Sequence, residues 1–266
     1  MYLPIESQPT SARAWLAAAT AVEASGGEAQ NVVIDIADPL LESEVDVAII
    51  REVDGFLRSH DVNSLHGVNS LSGVANTIFP QATYERHGPE AFYSIYRNQV
   101  FPRMKKITRD WGRYFHRLTE WKAVKDNKII TINPLDDLVD FMREQISSDR
   151  TYRNVYEMTV FDPTRDARKV SNRQCLSFLS FKLDAENRLT LTVMYRNHVY
   201  IARGLGNFIG LGRLQKFVAD QSGAQMGSLT CVSTHAEIDF GRDWTKTETK
   251  TLLATCRRFV DGIEAA

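Results

Sequence analysis

Apolar residues recur along this chain with two different periods, and the two periods mark out its elements. Over residues 11–24, Trp15, Leu16, Ala19 and Val22 fall on one side of a 3.6-residue repeat, with Ser11 placed as N-cap and Gly26-Gly27 ending the run. Residues 46–58 carry a second helical stripe of Val47, Ile50, Val53, Phe56 and Leu57. A third, over 133–146, starts at Asn133-Pro134 and uses Leu135, Leu138, Val139, Met142 and Ile146. Residues 208–219 and 248–263 repeat in the same way. Short apolar or alternating runs predict strands over 31–37, 155–161, 176–183 and 189–195, with Asp38-Pro39 and Asp162-Pro163 as stops. The turn at 184–187 makes the last two strands antiparallel neighbours. Residues 63–76, dense in Asn, Ser and Gly, predict a loop. The aromatic and basic stretch near 77–109 reads as an insertion holding helices around 89–98 and 103–109. These elements predict one α/β domain over residues 1–266.

Composition narrows the classes. At 266 residues and 43% hydrophobic, the chain can bury one sizeable core. Its 32 basic and 33 acidic residues nearly cancel, which argues against a nucleic-acid polymer or an anionic membrane as partner. No apolar run reaches 18 residues and no leader-like segment is read at the start. Cys175, Cys231 and Cys256 lack metal-ligand spacing and leave an odd thiol, so a reducing, cytoplasmic setting and no metal are expected.

The chemistry concentrates between Arg173 and Asp239. Cys175 heads one predicted strand and Arg196 ends its partner, so the cation falls near the thiol, where it can favour the thiolate and hold an anion. Asn207 follows two glycines at the start of a helix, where it can cap that helix or face a ligand. His235 closes the stretch after Cys231.

In this order and at these separations, Cys175, Arg196, Asn207 and His235 resemble thymidylate synthase and the related pyrimidine nucleotide hydroxymethylases. The segment 50–57 resembles that family's catalytic-glutamate helix and aligns Glu52 with the glutamate. Trp111-Gly112-Arg113-Tyr114 resembles a Tyr-Gly segment, with Trp111 at the tyrosine on the cofactor side and Tyr114 as a substitute. The run 147–153 resembles an Asp-Ser-Arg-Arg turn and nominates Arg150 and Arg153. The resemblance implies a large mixed β-sheet flanked by helices and a homodimer in which those arginines reach the partner's phosphate. It implies one-carbon transfer from 5,10-methylenetetrahydrofolate to C5 of a pyrimidine nucleoside monophosphate, giving a methyl or hydroxymethyl product. Cys175 would be the nucleophile, Glu52 the proton carrier and Asn207 the reader of the base. Arg196, Asn197, His235 and Glu237 would hold phosphate and sugar, Glu237 through ribose hydroxyls.

Several positions depart from the family. Leu176 follows the thiol in place of histidine, Val199 replaces the aspartate that grips the pterin, and Glu237 replaces a tyrosine. No arginine phosphate loop is read around 26–31, and the segment 262–266 is unlike the family's closing tail. The alternative is therefore a nucleotide-binding relative without folate chemistry. A third reading is a cysteine hydrolase built on Cys175 and His235.

Overall fold

The computed structural model describes residues 2–60, 70–148, 151–171, 173–240 and 244–264. The chain opens with β1 (Leu3–Pro4), α1 (Ser11–Ala24), β2 (Glu28–Ile36) and α2 (Glu44–Ser59). Next come α3 (Leu71–Ile78), α4 (Gln81–Ile95), α5 (Lys106–Trp111) and α6 (Tyr114–Thr119). A hairpin of β3 (Trp121–Lys125) and β4 (Lys128–Ile132) leads to α7 (Pro134–Ile146), β5 (Tyr156–Thr159) and α8 (Pro163–Asp166). The second half holds β6 (Leu176–Leu183), β7 (Arg188–Tyr195), β8 (His198–Val199), α9 (Leu205–Ser222), β9 (Gln225–Glu237) and α10 (Lys246–Glu264).

The main sheet runs β1-β2-β9-β7-β6-β5, with β8 also beside β9. It is mixed, as expected: β9 lies parallel to β7 and β8 but antiparallel to β2, and β6 is antiparallel to β5 and β7. Successive side chains leave opposite faces of a strand, and the register sorts them. Leu179, Val193, Cys231 and Ile34 form one cross-strand row, all at 0–1% exposure, in the core. Phe178, Met194, Val232 and Val33 form the row on the other face, where Met194 is 41% exposed.

Local chemistry explains the helix starts. Thr10, rather than the predicted Ser11, caps α1 by accepting from Arg13 N, while Ser11 Oγ donates to Pro39 O at 2.7 Å. Ser43 and Asp46 form a reciprocal capping box at α2.

Packing adds to the local readings at three places. The predicted loop over 63–76 becomes helix from Leu71 on, because Ser70 caps it and Leu71, Val74, Ala75 and Ile78 bury one stripe; residues 61–69 lie outside the described ones. The 77–109 stretch packs against the core. Phe79, Tyr84 and Phe92 cluster with Phe115 of α6 and Phe217 of α9, with ring centroids 4.9–6.0 Å apart. Finally, the glycines before α9 do not form a loose turn. The chain takes a π-helical turn over Tyr200–Gly204 and α9 begins at Leu205, so Asn207 sits in its first helical turn. Gly206 and Gly210 let α3 approach: a Cβ on Gly206 would lie 2.5 Å from Val74 Cβ, and one on Gly210 2.8 Å from Ala75 O.

Candidate active site

The antiparallel ladder of β6 and β7 sets the thiol. Leu176 pairs with Tyr195, and Arg196 N donates to Cys175 O at 2.9 Å, so Cys175 and Arg196 face each other at the end of the ladder. The Arg196 guanidinium donates from Nε to Gln174 O (3.0 Å) and from Nη2 to Arg173 O (3.4 Å), bracing the strand that leads to the thiol. Burial pushes the Cys175 thiol up, and the charges of Arg196, Arg203 and Arg173 act against that rise. Tyr114 stands on the other side, with its hydroxyl accepting from Leu176 N at 3.4 Å. Burial raises the Tyr114 phenol, so it stays protonated.

Cys175 opens into a cavity of about 220 Å³, whose walls include Asn197, His198, Val199, Arg203 and Asn207. Thr77 of α3, Thr108 of α5 and the Gly112-Arg113-Tyr114 segment close it from the other side. Two anchors fix the π-helical turn that carries Arg203. Trp15 Nε1 donates to Tyr200 O at 2.7 Å, and Asp239 Oδ1 accepts from Ile201 N at 2.8 Å. Such widened turns are common where a helix is interrupted for function.

Behind the cavity wall lies a buried polar chain. Asn207 Nδ2 bonds His198 Nε2 at 3.1 Å, and His198 Nδ1 meets Ser233 Oγ at 2.9 Å. The Tyr200 hydroxyl closes the chain at 3.3 Å from Ser233 Oγ. His198 also stacks on Tyr195, with centroids 4.1 Å apart and planes 7° from parallel. Burial depresses the His198 pKa to about 3, so the ring is neutral and ties down Asn207 without adding charge.

Of the residues nominated from sequence, Cys175, Asn197 and Asn207 share the cavity. Asn197 also gathers His235 and Glu237: its Oδ1 accepts from His235 Nδ1 at 2.6 Å, and its Nδ2 donates to Glu237 Oε1 at 3.0 Å. His235 further lines a separate cleft with Glu28 and Gln30. Glu52 lies elsewhere, half-buried on α2, where its charge acts on Cys256 of α10. Trp111 is the last residue of α5, one position before the cavity-lining Gly112. Arg153 is exposed and its carbonyl accepts from Leu183 N, at the far end of β6 from Cys175. Eight strand residues at ~3.3 Å each separate the two by roughly 25 Å within one chain. Arg150 lies outside the described residues. Sequence reading missed Arg203, Arg173 and His198; a lone cation inside the apolar run 199–205 was the available signal for Arg203.

No family model matches the chain. Among curated proteins, one from Methanococcoides burtonii is 30% identical over 135 residues, 51% of this chain and 55% of that protein. One from Methanosarcina barkeri is 29% identical over 112 residues, 42% of this chain and 50% of that protein. A third, from Methanosarcina mazei, is 28% identical over 135 residues. Each carries the name "Putative thymidylate synthase", and the matches span about half the length of these relatives. They support the resemblance read from the sequence: the chain is a divergent relative of these proteins.

Proposed function

We propose that this divergent relative of the thymidylate synthases transfers a one-carbon unit to C5 of a pyrimidine nucleoside monophosphate through a covalent adduct of Cys175. The observation that carries this reading is the sharing of one cavity by Cys175, Asn207 and Asn197, each from a different point in the chain. C5 of a pyrimidine is a weak nucleophile. Addition of the Cys175 sulfur to C6 moves the ring electrons onto C5 and its neighbouring carbonyl or amine, a covalent route around that weakness. Arg196 and Arg203 favour the thiolate that must attack. Asn207, held by His198, offers the base an amide whose orientation the buried chain fixes. Asn197, with His235 and Glu237 on its two ends, faces the sugar side.

The relatives' name points to a folate-class carbon donor, and the resemblance to 5,10-methylenetetrahydrofolate. The walls fit a pterin poorly: Val199 stands where a carboxylate would grip the ring, and among the described residues the lining contains no Asp or Glu. At about 220 Å³, the cavity also falls below the ~300–1,000 Å³ of ordinary small-ligand sites. The same observation favours the second reading, a nucleotide-binding protein that has lost folate chemistry.

Release of tritium from C5-labelled dUMP, dCMP, UMP and CMP, with methylenetetrahydrofolate, tests the proposal. Release from one of them, lost by roughly three orders of magnitude or more in Cys175→Ser, is the expected result. Binding of a nucleotide with no release from any of the four would favour the binding protein. For the hydrolase reading, Asn197 does orient His235, but Cys175 and His235 share no hydrogen bond among the described residues.

We also propose a homodimer packed through the outer sheet row of Phe178, Met194, Val232 and Val33, of which Met194 is exposed and the other three are half-buried. A two-fold pairing would let the partner's Arg153 copy approach a site that it cannot reach within its own chain. Met194→Glu should shift the sedimentation of a dimer to that of a monomer; a wild-type chain that sediments as a monomer removes this part.

A further inference from the structure

Among the described residues, Arg113, Arg173 and Arg203 line the cavity beside Cys175, and no acidic residue lines it with them. Arg203 makes no hydrogen bond and no salt bridge among the described residues. The acid that acts on it, Asp239, has both oxygens occupied by the backbone, accepting from Ile201 N and from Ala202 N at 3.1–3.3 Å. Arg173 sits with its guanidinium carbon 5.3 Å from the Phe161 ring centroid, and its buried Nε has no hydrogen-bond partner. Arg196 does not join this group, because its guanidinium braces the carbonyls of Arg173 and Gln174.

We propose that this cavity is an oxyanion subsite, in which Arg173 and Arg203 bind a phosphate or carboxylate group of the ligand within reach of the Cys175 thiol, with Arg113 on the same wall. Cations drawn out of water without a counter-charge are unfavourable, and an anion that replaces the lost water reverses the sign. Guanidinium is suited to the task, since its planar fork matches two oxygens of a carboxylate or phosphate at once. The whole subsite comes from one chain, so it forms without a partner subunit. Assigning the oxyanion to a nucleotide or to a second substrate rests on the functional reading above; the subsite itself does not.

The test is alkylation of Cys175 by iodoacetamide, a neutral reagent, in the full chain without nucleotide. Inorganic phosphate, acetate and chloride are titrated at matched ionic strength, and the modified residue is identified by mass. The expected result is protection by phosphate or acetate but not by chloride. The half-protecting concentration should rise about tenfold or more in Arg203→Met and in Arg173→Met, the fold-change of one lost charge-assisted contact. Arg203→Lys should recover part of it. Stronger protection by phosphate assigns the nucleotide's own phosphate; stronger protection by acetate assigns a carboxylate on the base or on a co-substrate. No protection beyond chloride, or unchanged half-protection in both folded methionine variants, overturns the subsite.

The outcome is separable from the functional reading. Anion protection without tritium release would leave the subsite standing and the reaction refuted. Tritium release that persists in Arg203→Met, with no anion protection in wild type, would do the reverse.

Discussion

Arg117 and Arg203 are both drawn into the protein, and they end in opposite situations. Arg117 is 2% exposed and faces Asp166 at 1%. Its two Nη atoms reach the two carboxylate oxygens, and Nη1 also donates to Val160 O at 3.0 Å. Burial alone would raise the Asp166 carboxyl, but the Arg117 hydrogen bonds and the Asp162 N–H bring it below the ordinary range. Near Arg203 the acid is Asp239, whose oxygens serve backbone N–H groups, and burial lifts its pKa to about 6. One cation comes with its counter-charge built in and joins α6 to α8. The other faces a cavity with its counter-charge withheld. A buried charge completed by the fold maintains the fold, whereas one left incomplete marks where a ligand completes it.

The largest effect should come from breaking the completed pair. Asp166→Asn leaves Arg117 uncompensated and should cost about 3–5 kcal/mol of stability, read from the urea midpoint, with Arg117→Met/Asp166→Leu recovering most of it. If the single variant loses less than about 1 kcal/mol, the pair is not holding α6 to α8.

Next in size is a pH effect with opposite signs at the two acids. The folded pKa of Asp239, about 6, lies above its unfolded value near 3.8. Its contribution is therefore complete below the unfolded value and is lost as pH rises through about 6, at most about 3 kcal/mol. Asp166, with a depressed folded pKa, contributes above its unfolded value and loses that contribution as pH falls. Asp239→Asn should flatten the stability profile between about pH 4 and 6, whereas Asp166→Asn should act below about pH 4.

Arg203→Met should change stability by no more than about 1 kcal/mol, or raise it, because an uncompensated cation leaves the cavity wall. Loss of several kcal/mol in that variant would place Arg203 in the same class as Arg117. The smallest effect is on the thiol. Arg196→Met removes a charge that lowers the Cys175 pKa, so the alkylation profile should move to higher pH. Each unit of movement slows alkylation about tenfold at neutral pH.

What the sequence made legible follows the range of the interactions involved. Helices α1, α2, α7 and α10 and the β6–β7 pair rest on local periodicity, caps and one short turn, and each was predicted within a few residues. Of the site, Cys175, Asn197 and Asn207 could be picked out because ordered spacings carry them. Arg203 and His198 could not, since they reach the cavity only through the parallel pairing of β7 and β8 with the distant β9. The β3–β4 hairpin was also overlooked, although Asp126 and Asn127, both at positive φ (51° and 58°), make the kind of turn that two-residue hairpins favour.

The glycines of α9 carry one last consequence. Gly206 and Gly210 admit the backbone of α3, and α3 brings Thr77 to the cavity. The space available to a ligand is thus gauged by two absent methyl groups on a helix that also carries Asn207. A relative that acquired an alanine at either position would have to move α3 outward and enlarge the chamber. Selectivity by size in this protein is open to change from behind the wall, with every residue that touches the ligand left as it is.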